Sequence, residues 1–385
     1  MSAIDVLEKL EEREVKKLNR REFLKFCGRM AVLLGLSQAA IPKIARAVEK
    51  AARDGRPSVI WLNFQDCAGN TESFTRANAP SVAEAVLEHI SLDYHEVLMA
   101  AAGHQAEERL HEVLKEYSGQ IIVVVEGSIP TRDNGIYCTV AGRTAIQILK
   151  EIEPHALAFV AVGTCAAFGG IPKANPNPTG AVGLERIIAS KPVINVPGCP
   201  ANPDVIMAVL VHYVLFNRLP ELDAQKRPKF AFGKKIHDSC ERRPHYDAGQ
   251  FVLSFDDYGA KQGYCLYKVG CKGPVTYNVC GSWRWNMNAS WPIKAGHPCI
   301  GCSERDFWDR YYPFYEHIPE TGGFGVEART DDIGKAVLGL TGLTVGAHAL
   351  YTAAVKSAER FAEKLALKAE KGTEEAEGKD EGGEA

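Results

Sequence analysis

The chain of 385 residues predicts an α/β fold built on a parallel sheet, followed by a smaller, irregular domain rich in cysteine. Three observations carry this prediction. Short β-branched runs alternate with helical spacings through the first half, the pattern of a parallel sheet with helices on its faces. From Leu219 onward that periodicity is broken by glycines and by Pro220, Pro228 and Pro244, which places a domain boundary near residue 225. Finally, six of the eleven cysteines, led by His237, fall within residues 237–302. That stretch has few long apolar runs and cannot bury a large aliphatic core, so metal–ligand bonds are a candidate source of its order.

In order, residues 58–64 (SVIWLNF) predict a buried strand that ends in the turn-rich QDCAGNTES. Residues 82–102 and 105–117 have helical spacing, with Val86, Leu87 and Ile90 on one face. Residues 121–125 (IIVVV) predict a second strand, 139–150 a helix and 156–162 a third strand. A short helix over 182–189, a fourth strand over 192–196 and a helix over 204–216 complete the domain. In parallel sheets, ligands bind beyond the carboxyl ends of the strands. Here those ends lead to Cys67, Glu126, Cys165 and Cys199, so three thiols are expected on one sheet edge. The competing reading is three separate buried thiols, since free cysteine behaves as a small hydrophobe. Cys138, ahead of a helix, is read as structural.

The first 47 residues are expected to be a leader. NRREFLK at 19–25 is a twin-arginine signal with Arg20 and Arg21, 31–40 is a short apolar stretch, and Ala45-Arg46-Ala47 offers a cleavage site that leaves Val48 first. The alternative is a chance arginine pair before an amphipathic helix. Twin-arginine export carries folded proteins, often with a cofactor loaded, which protects free thiols bound for an oxidising compartment. Cys27 would leave with the leader. Near the other end, residues 336–355 hold no Asp, Glu, Lys or Arg and read as a buried helix or a weakly apolar membrane span. Lys356, Arg360, Lys364 and Lys368 follow as a cytoplasmic flank would. His348 lies inside this stretch and is either a functional intramembrane residue, such as a haem ligand in a partner, or a satisfied core histidine. The Glu/Lys/Gly-rich end from 370 is expected to be disordered.

Net charge is −3 and aromatic content 9%, so nothing points to nucleic acid. The cysteines are too sparse for a disulfide scaffold and too clustered for chance core residues. Their spacing suggests two groups in the second domain: His237, Cys240, Cys265 and Cys271, then Cys280, Cys299 and Cys302. A Cys3His zinc site or disulfides are the bland alternatives.

EGSIP at 126–130, GTCAAFGGIP at 163–172, NVPGCPANP at 195–203 and WPIKAGHPCIGCSERDFWD at 291–309 resemble, in content and order, the small, electron-transferring subunit of a membrane-associated NiFe hydrogenase. The resemblance implies a twin-arginine leader (1–47) and a flavodoxin-like domain (48–225). It also implies a cluster domain (226–330), a C-terminal helix that is a possible anchor (331–368) and a charged tail (369–385). It implies a proximal [4Fe–4S] cluster on Cys67, Cys165 and Cys199, a distal [4Fe–4S] cluster on His237, Cys240, Cys265 and Cys271, and a medial [3Fe–4S] cluster on Cys280, Cys299 and Cys302. Pro292 stands where a fourth medial thiolate would have been. The chain departs from the family at one place: the usual CxxC of the first strand end reads Cys67-Ala68-Gly69-Asn70. Asp66 is the favoured fourth proximal ligand, ahead of Asn70 and the more distant Glu126. Gly69 and Gly170 occupy the positions of two extra cysteines found in some oxygen-tolerant relatives, so the [4Fe–3S] form is not expected.

The chain lacks the paired CxxC motifs that hold nickel and iron in the family's large subunit. It is therefore expected to form a heterodimer with such a subunit, as the non-catalytic-centre partner in a hydrogen:acceptor oxidoreductase. Electrons from H2 would pass from the proximal to the medial to the distal cluster. They would leave to a membrane cytochrome b or another iron–sulfur, quinone-linked acceptor, and the chain itself is expected on the periplasmic face of the cytoplasmic membrane. The alternatives are a zinc-binding or a flavin-binding module on the same base. Against flavin, the strand-end loops offer thiols rather than a phosphate cradle.

Overall fold

The computed structural model describes residues 25, 27–29, 31, 36–45, 56–78, 80–216, 218–316 and 326–380. The chain divides into two units, Met1–Ile318 and Pro319–Ala385.

Among the described residues of the first unit, five parallel strands form the main sheet: β1 (Ser58–Asn63), β2 (Ser91–His95), β3 (Ile121–Glu126), β4 (Ala156–Val162) and β5 (Val193–Val196). Their order is β2-β1-β3-β4-β5, the flavodoxin-like arrangement whose switch point lies between β1 and β3. Every residue of β1 and β3 is buried, as expected where helices cover both faces. Successive side chains point to opposite faces and so build two cores. Val59, Trp61, Val124 and Val160 face one core, with the almost wholly apolar α5 (Pro203–Phe216). Ile60, Leu62, Val123 and Phe159 face the other, with α2 (His104–Glu116) and α3 (Ala145–Ile152). Cys27, Ala31 and Ile44, from the expected leader, are buried in the α5-side core.

The register levels the strand ends. Asn63 pairs with Glu126, Glu126 with Val162, and Val162 with Val196. The loops that follow β1, β3, β4 and β5 therefore leave the sheet on one line. Two of them enter short helices at once, α1 (Gly69–Thr75) and α4 (Gly163–Phe168).

Three expectations are corrected. The helix expected over 82–102 is one α-turn, Val82–Glu84, and a π-turn, Ala85–His89, followed by edge strand β2. Its apolar positions change period at Ile90: Leu92 and Tyr94 alternate with polar Ser91, Asp93 and His95, and pairing with β1 takes over. The helix expected from 139 begins at Ala145. Thr139–Val140 and Arg143–Thr144 first form a small antiparallel ribbon, and Thr144 with Gln147 makes a capping box. The helix expected over 182–189 shrinks to one 3-10 turn, Leu184–Arg186.

Residues 235–316 form short turns around the second cysteine group rather than long elements. Arg227 is buried, pairs with Glu304 at 3.1 Å and Asp223 at 2.8 Å, and lies near the Phe232 and Tyr277 rings. Glu304 also accepts from the Tyr277 N–H at 2.7 Å. This buried pair ties the segment around the expected boundary to the WPIKAGHPCIGCSERDFWD motif.

The described residues of the second unit form one helix, α6 (Val326–Asp380). Its stretch Leu338–Lys368 contains an 18-residue window of mean hydropathy 1.3, none of it buried, and by length and composition can cross a membrane. The helix runs through residues 370–380, where disorder was expected; Ala, Glu and Lys are strong helix formers and continue a helix already nucleated. Residues 381–385, and the twin arginines at 20 and 21, lie outside the described residues.

Candidate iron–sulfur sites

Glu126 ends β3 and is fully buried. Its carboxylate accepts from the backbone N–H groups of Asn70 at 2.7 Å and Thr71 at 3.0 Å, in the first turn of α1. It also accepts from the Thr71 hydroxyl at 2.6 Å, the Asn63 amide at 3.1 Å, the Asn70 amide at 3.2 Å and the Trp61 indole at 3.3 Å. A carboxylate at a helix N-terminus meets orphan N–H groups and the positive end of the helix dipole. Six donors together replace its lost hydration. The bonds fix the loop that presents Cys67.

Asn70 completes this bracket. Its amide donates to Glu126, and its Oδ1 accepts from the Ala201 N–H at 2.9 Å, just after Cys199. Asn70 therefore joins the β1, β3 and β5 loops. Gly163 packs against it: with φ +84°, a Cβ there would collide with the Asn70 amide. Thr164 joins the next pair of loops. Its backbone N–H donates to the Gly198 carbonyl at 2.8 Å, its hydroxyl accepts from the Gly198 N–H at 2.9 Å, and the same hydroxyl donates to the Cys302 carbonyl.

These bonds place Cys67, Cys165 and Cys199 on one edge, with Cys302 next to them. Burial pushes the Cys165 thiol up to about 11 and the Cys199 thiol up to about 12. Cys67 raises both further, and Cys199 also feels Cys302 and Cys165. Gly69 and Gly170 touch this group: a Cβ at Gly69 would lie 3.1 Å from Cys67 Sγ, and one at Gly170, with φ +55°, 2.5 Å from Cys165 Sγ. Of the fourth-ligand candidates, Asn70 and Glu126 spend their polar atoms on the bracket. Asp66 sits beside Cys67, lies in range of Cys165 and has one oxygen, Oδ2, held by the Asn63 amide at 2.7 Å.

In the second region, His237, Cys240, Cys265 and Cys271 line one cavity with Ile236, Leu266, Tyr267, Pro274 and Ile293. Burial lowers the His237 pKa, with Arg243 adding to it, which favours the neutral imidazole that ligates metal. Backbone N–H groups point at the sulfurs in a repeated i, i+2 arrangement: Arg242 to Cys240, Gly273 to Cys271 and Gly301 to Cys299, each 3.4 Å. Cys280, Cys299 and Cys302 form the third group. Burial raises Cys280 to about 12 and Cys299 well above its ordinary value, and Cys299 feels Cys271, Cys302 and Cys280. Cys138 stands apart, half-buried against the α2–α3 core.

Among the described residues, no three His, Cys, Asp or Glu side chains close on a point that would hold a single ion. His237, Cys240, Cys265 and Cys271 instead line a cavity. Buried soft thiols with N–H groups aimed at them are the donor set that iron–sulfur clusters use, and N–H···S bonds set cluster potentials. Thr164 was missed as a site residue; the signal for it was its place beside Cys165 in GTCAAFGGIP.

The family of C-terminal domains of NiFe/NiFeSe hydrogenase small subunits matches residues 232–315, and the NADH ubiquinone oxidoreductase 20 kDa subunit family matches residues 67–213. The uptake hydrogenase small subunit of Azotobacter vinelandii is 48% identical over 336 residues, 87% of this chain and 93% of that protein. The chain belongs to the NiFe hydrogenase small-subunit family. The NiFeSe hydrogenase of Desulfomicrobium baculatum, in a reduced, active form, aligns with TM-score 0.64 and 37% identity over 68% of this chain and 100% of that one. The actinobacterial-type NiFe hydrogenase of Ralstonia eutropha H16 aligns with TM-score 0.63 and 28% identity, covering 74% and 91%. Within this family the α/β fold and cysteine-rich region are those of an electron-transferring, iron–sulfur-binding small subunit, and the zinc and flavin alternatives are set aside.

Glu126→Gln turns one acceptor oxygen into an NH2 group facing donors. It is expected to cost about 2–4 kcal/mol and to lower the thermal midpoint measured by calorimetry, with faster alkylation of Cys67 in apo protein.

Proposed function

We propose that this protein holds three clusters in series. Cys67, Cys165, Cys199 and Asp66 hold a proximal [4Fe–4S] cluster; Cys280, Cys299 and Cys302 a medial [3Fe–4S] cluster; and His237, Cys240, Cys265 and Cys271 a distal [4Fe–4S] cluster. Such clusters supply one-electron transfer between a hydrogen-splitting NiFe large subunit and an acceptor. The observation that carries this reading is the stepwise bonding of the groups: Thr164, beside Cys165, donates to the Cys302 carbonyl, and the N–H of Lys272, beside Cys271, donates to the Cys299 carbonyl at 2.7 Å. The protein orients the ligands, excludes water and aims N–H groups at sulfur.

The large subunit is the expected heterodimeric partner at the sheet edge, where Cys67 is exposed and Cys199, though packed on most sides, opens to solvent at its rim. The reading places the 48–225 and 226–330 domains outside the cytoplasmic membrane after twin-arginine export. The stretch Leu338–Lys368 supports an anchor in that membrane, beside a cytochrome b or another quinone-linked acceptor.

Iron and sulfide analysis with EPR on the purified complex tests the relay. About eleven irons per chain are expected, with an oxidised three-iron signal that H2 removes; about seven, with no proximal signal, overturns the proximal assignment. Asp66→Ala is expected to shift the potential and spectrum of the proximal centre alone, read by redox titration. Unchanged values would leave Asp66 without a ligand role. Removing residues 326–385 is expected to move the complex from the membrane to the soluble fraction with its iron retained.

A further inference from the structure

Lys272 follows the distal ligand Cys271, yet its side chain is only 1% exposed. Its backbone is held from both sides. The N–H donates to the carbonyl of Cys299 in the medial group at 2.7 Å, and its own carbonyl accepts from the Thr276 hydroxyl at 2.6 Å and the Val275 N–H at 3.1 Å. The ammonium donates to the backbone carbonyl of Glu316 at 2.5 Å. Burial works against its charge, and Cys271, Cys299 and the exposed carboxylate of Glu316 are the groups that favour it.

A buried ammonium held by a neutral carbonyl is costly, because its hydration is gone. The thiols flanking it are anionic only once they ligate iron, and each cluster with its thiolates is then a net negative body. Lys272 and the two centres thus satisfy one another.

We propose that Lys272 is a fixed cation shared by the medial and distal centres, raising the reduction potentials of both together. Reduction adds negative charge, so a nearby cation favours the reduced form. Burial leaves that attraction largely unscreened by salt. Because one charge serves both centres, it lifts the two without opening a large step between them. The inference rests on the ligand groups assigned above.

The test is an EPR-monitored redox titration of the purified complex carrying Lys272→Met, which keeps the stem and removes the charge, and Lys272→Arg, which keeps the charge. In Lys272→Met, both the three-iron centre and the His-ligated centre are expected to become harder to reduce. At a fixed solution potential the reduced-to-oxidised ratio of each falls about tenfold, equally at low and high salt, while the proximal centre is unmoved. Lys272→Arg is expected to keep both ratios near those of the unaltered protein. A shift of one centre alone, equal shifts in both variants, or no shift overturns the proposal. If Lys272→Met loses iron while Lys272→Arg retains it, the charge requirement stands; loss from both overturns it. Absence of the three-iron signal in the unaltered complex overturns the ligand assignment, and this inference with it. A normal iron count with unmoved ratios overturns the lysine's role alone.

Discussion

Everything at the edge of the sheet depends on one buried carboxylate. Glu126 stands at the end of β3, beside the switch point, and gathers donors from β1, from its loop and from the first turn of α1. Burying such a group without partners would be prohibitive. With six donors it becomes a fastener that sets where Cys67 emerges. Asn70 passes the restraint to the loop after Cys199, and Thr164 passes it to Cys302. The three strand-end thiols and Cys302 are therefore positioned by a chain of short polar contacts anchored in the central sheet.

This anchoring explains why the second region needs so little regular structure. Its turns are held by Arg227 and Glu304 inside, and by Arg305 to Glu185 and Lys173 to Asp306 outside, at 2.7 and 2.6 Å. The outer pairs are solvent-facing and individually weak. The buried pair, with its backbone and ring partners, contributes orientation more than net stability. Thiols buried in such surroundings resist ionisation, so the apo state keeps them neutral; iron removes the protons as it binds.

Much of this was readable in the chain. Strands with β-branched runs, such as 121–125 and 156–162, were placed to within a residue, because a strand buried on both faces has an unbroken apolar signature. The grouping of His237 with Cys240, Cys265 and Cys271 came from spacing; in the structure all four line one cavity. The edge strand β2 was hidden because it is short, half-polar and preceded by a helical turn, so only its pairing with β1 reveals it. The roles of Asn70 and Glu126 were equally hidden. A sequence shows that an amide stands where a thiolate is usual, but not that the amide's atoms are already engaged by Ala201 and Glu126.

The Asn70 bracket has a consequence for biogenesis. Where a loop is closed by a metal ligand, the loop takes its shape only when the metal arrives. Here residue 70 closes the loop with an amide bridging two strand ends, and the tight fit of Gly163 against it needs no iron. The first strand end can reach its final form during polypeptide folding. The shape of this corner is thus set by the polypeptide's own amide, carboxylate and backbone groups.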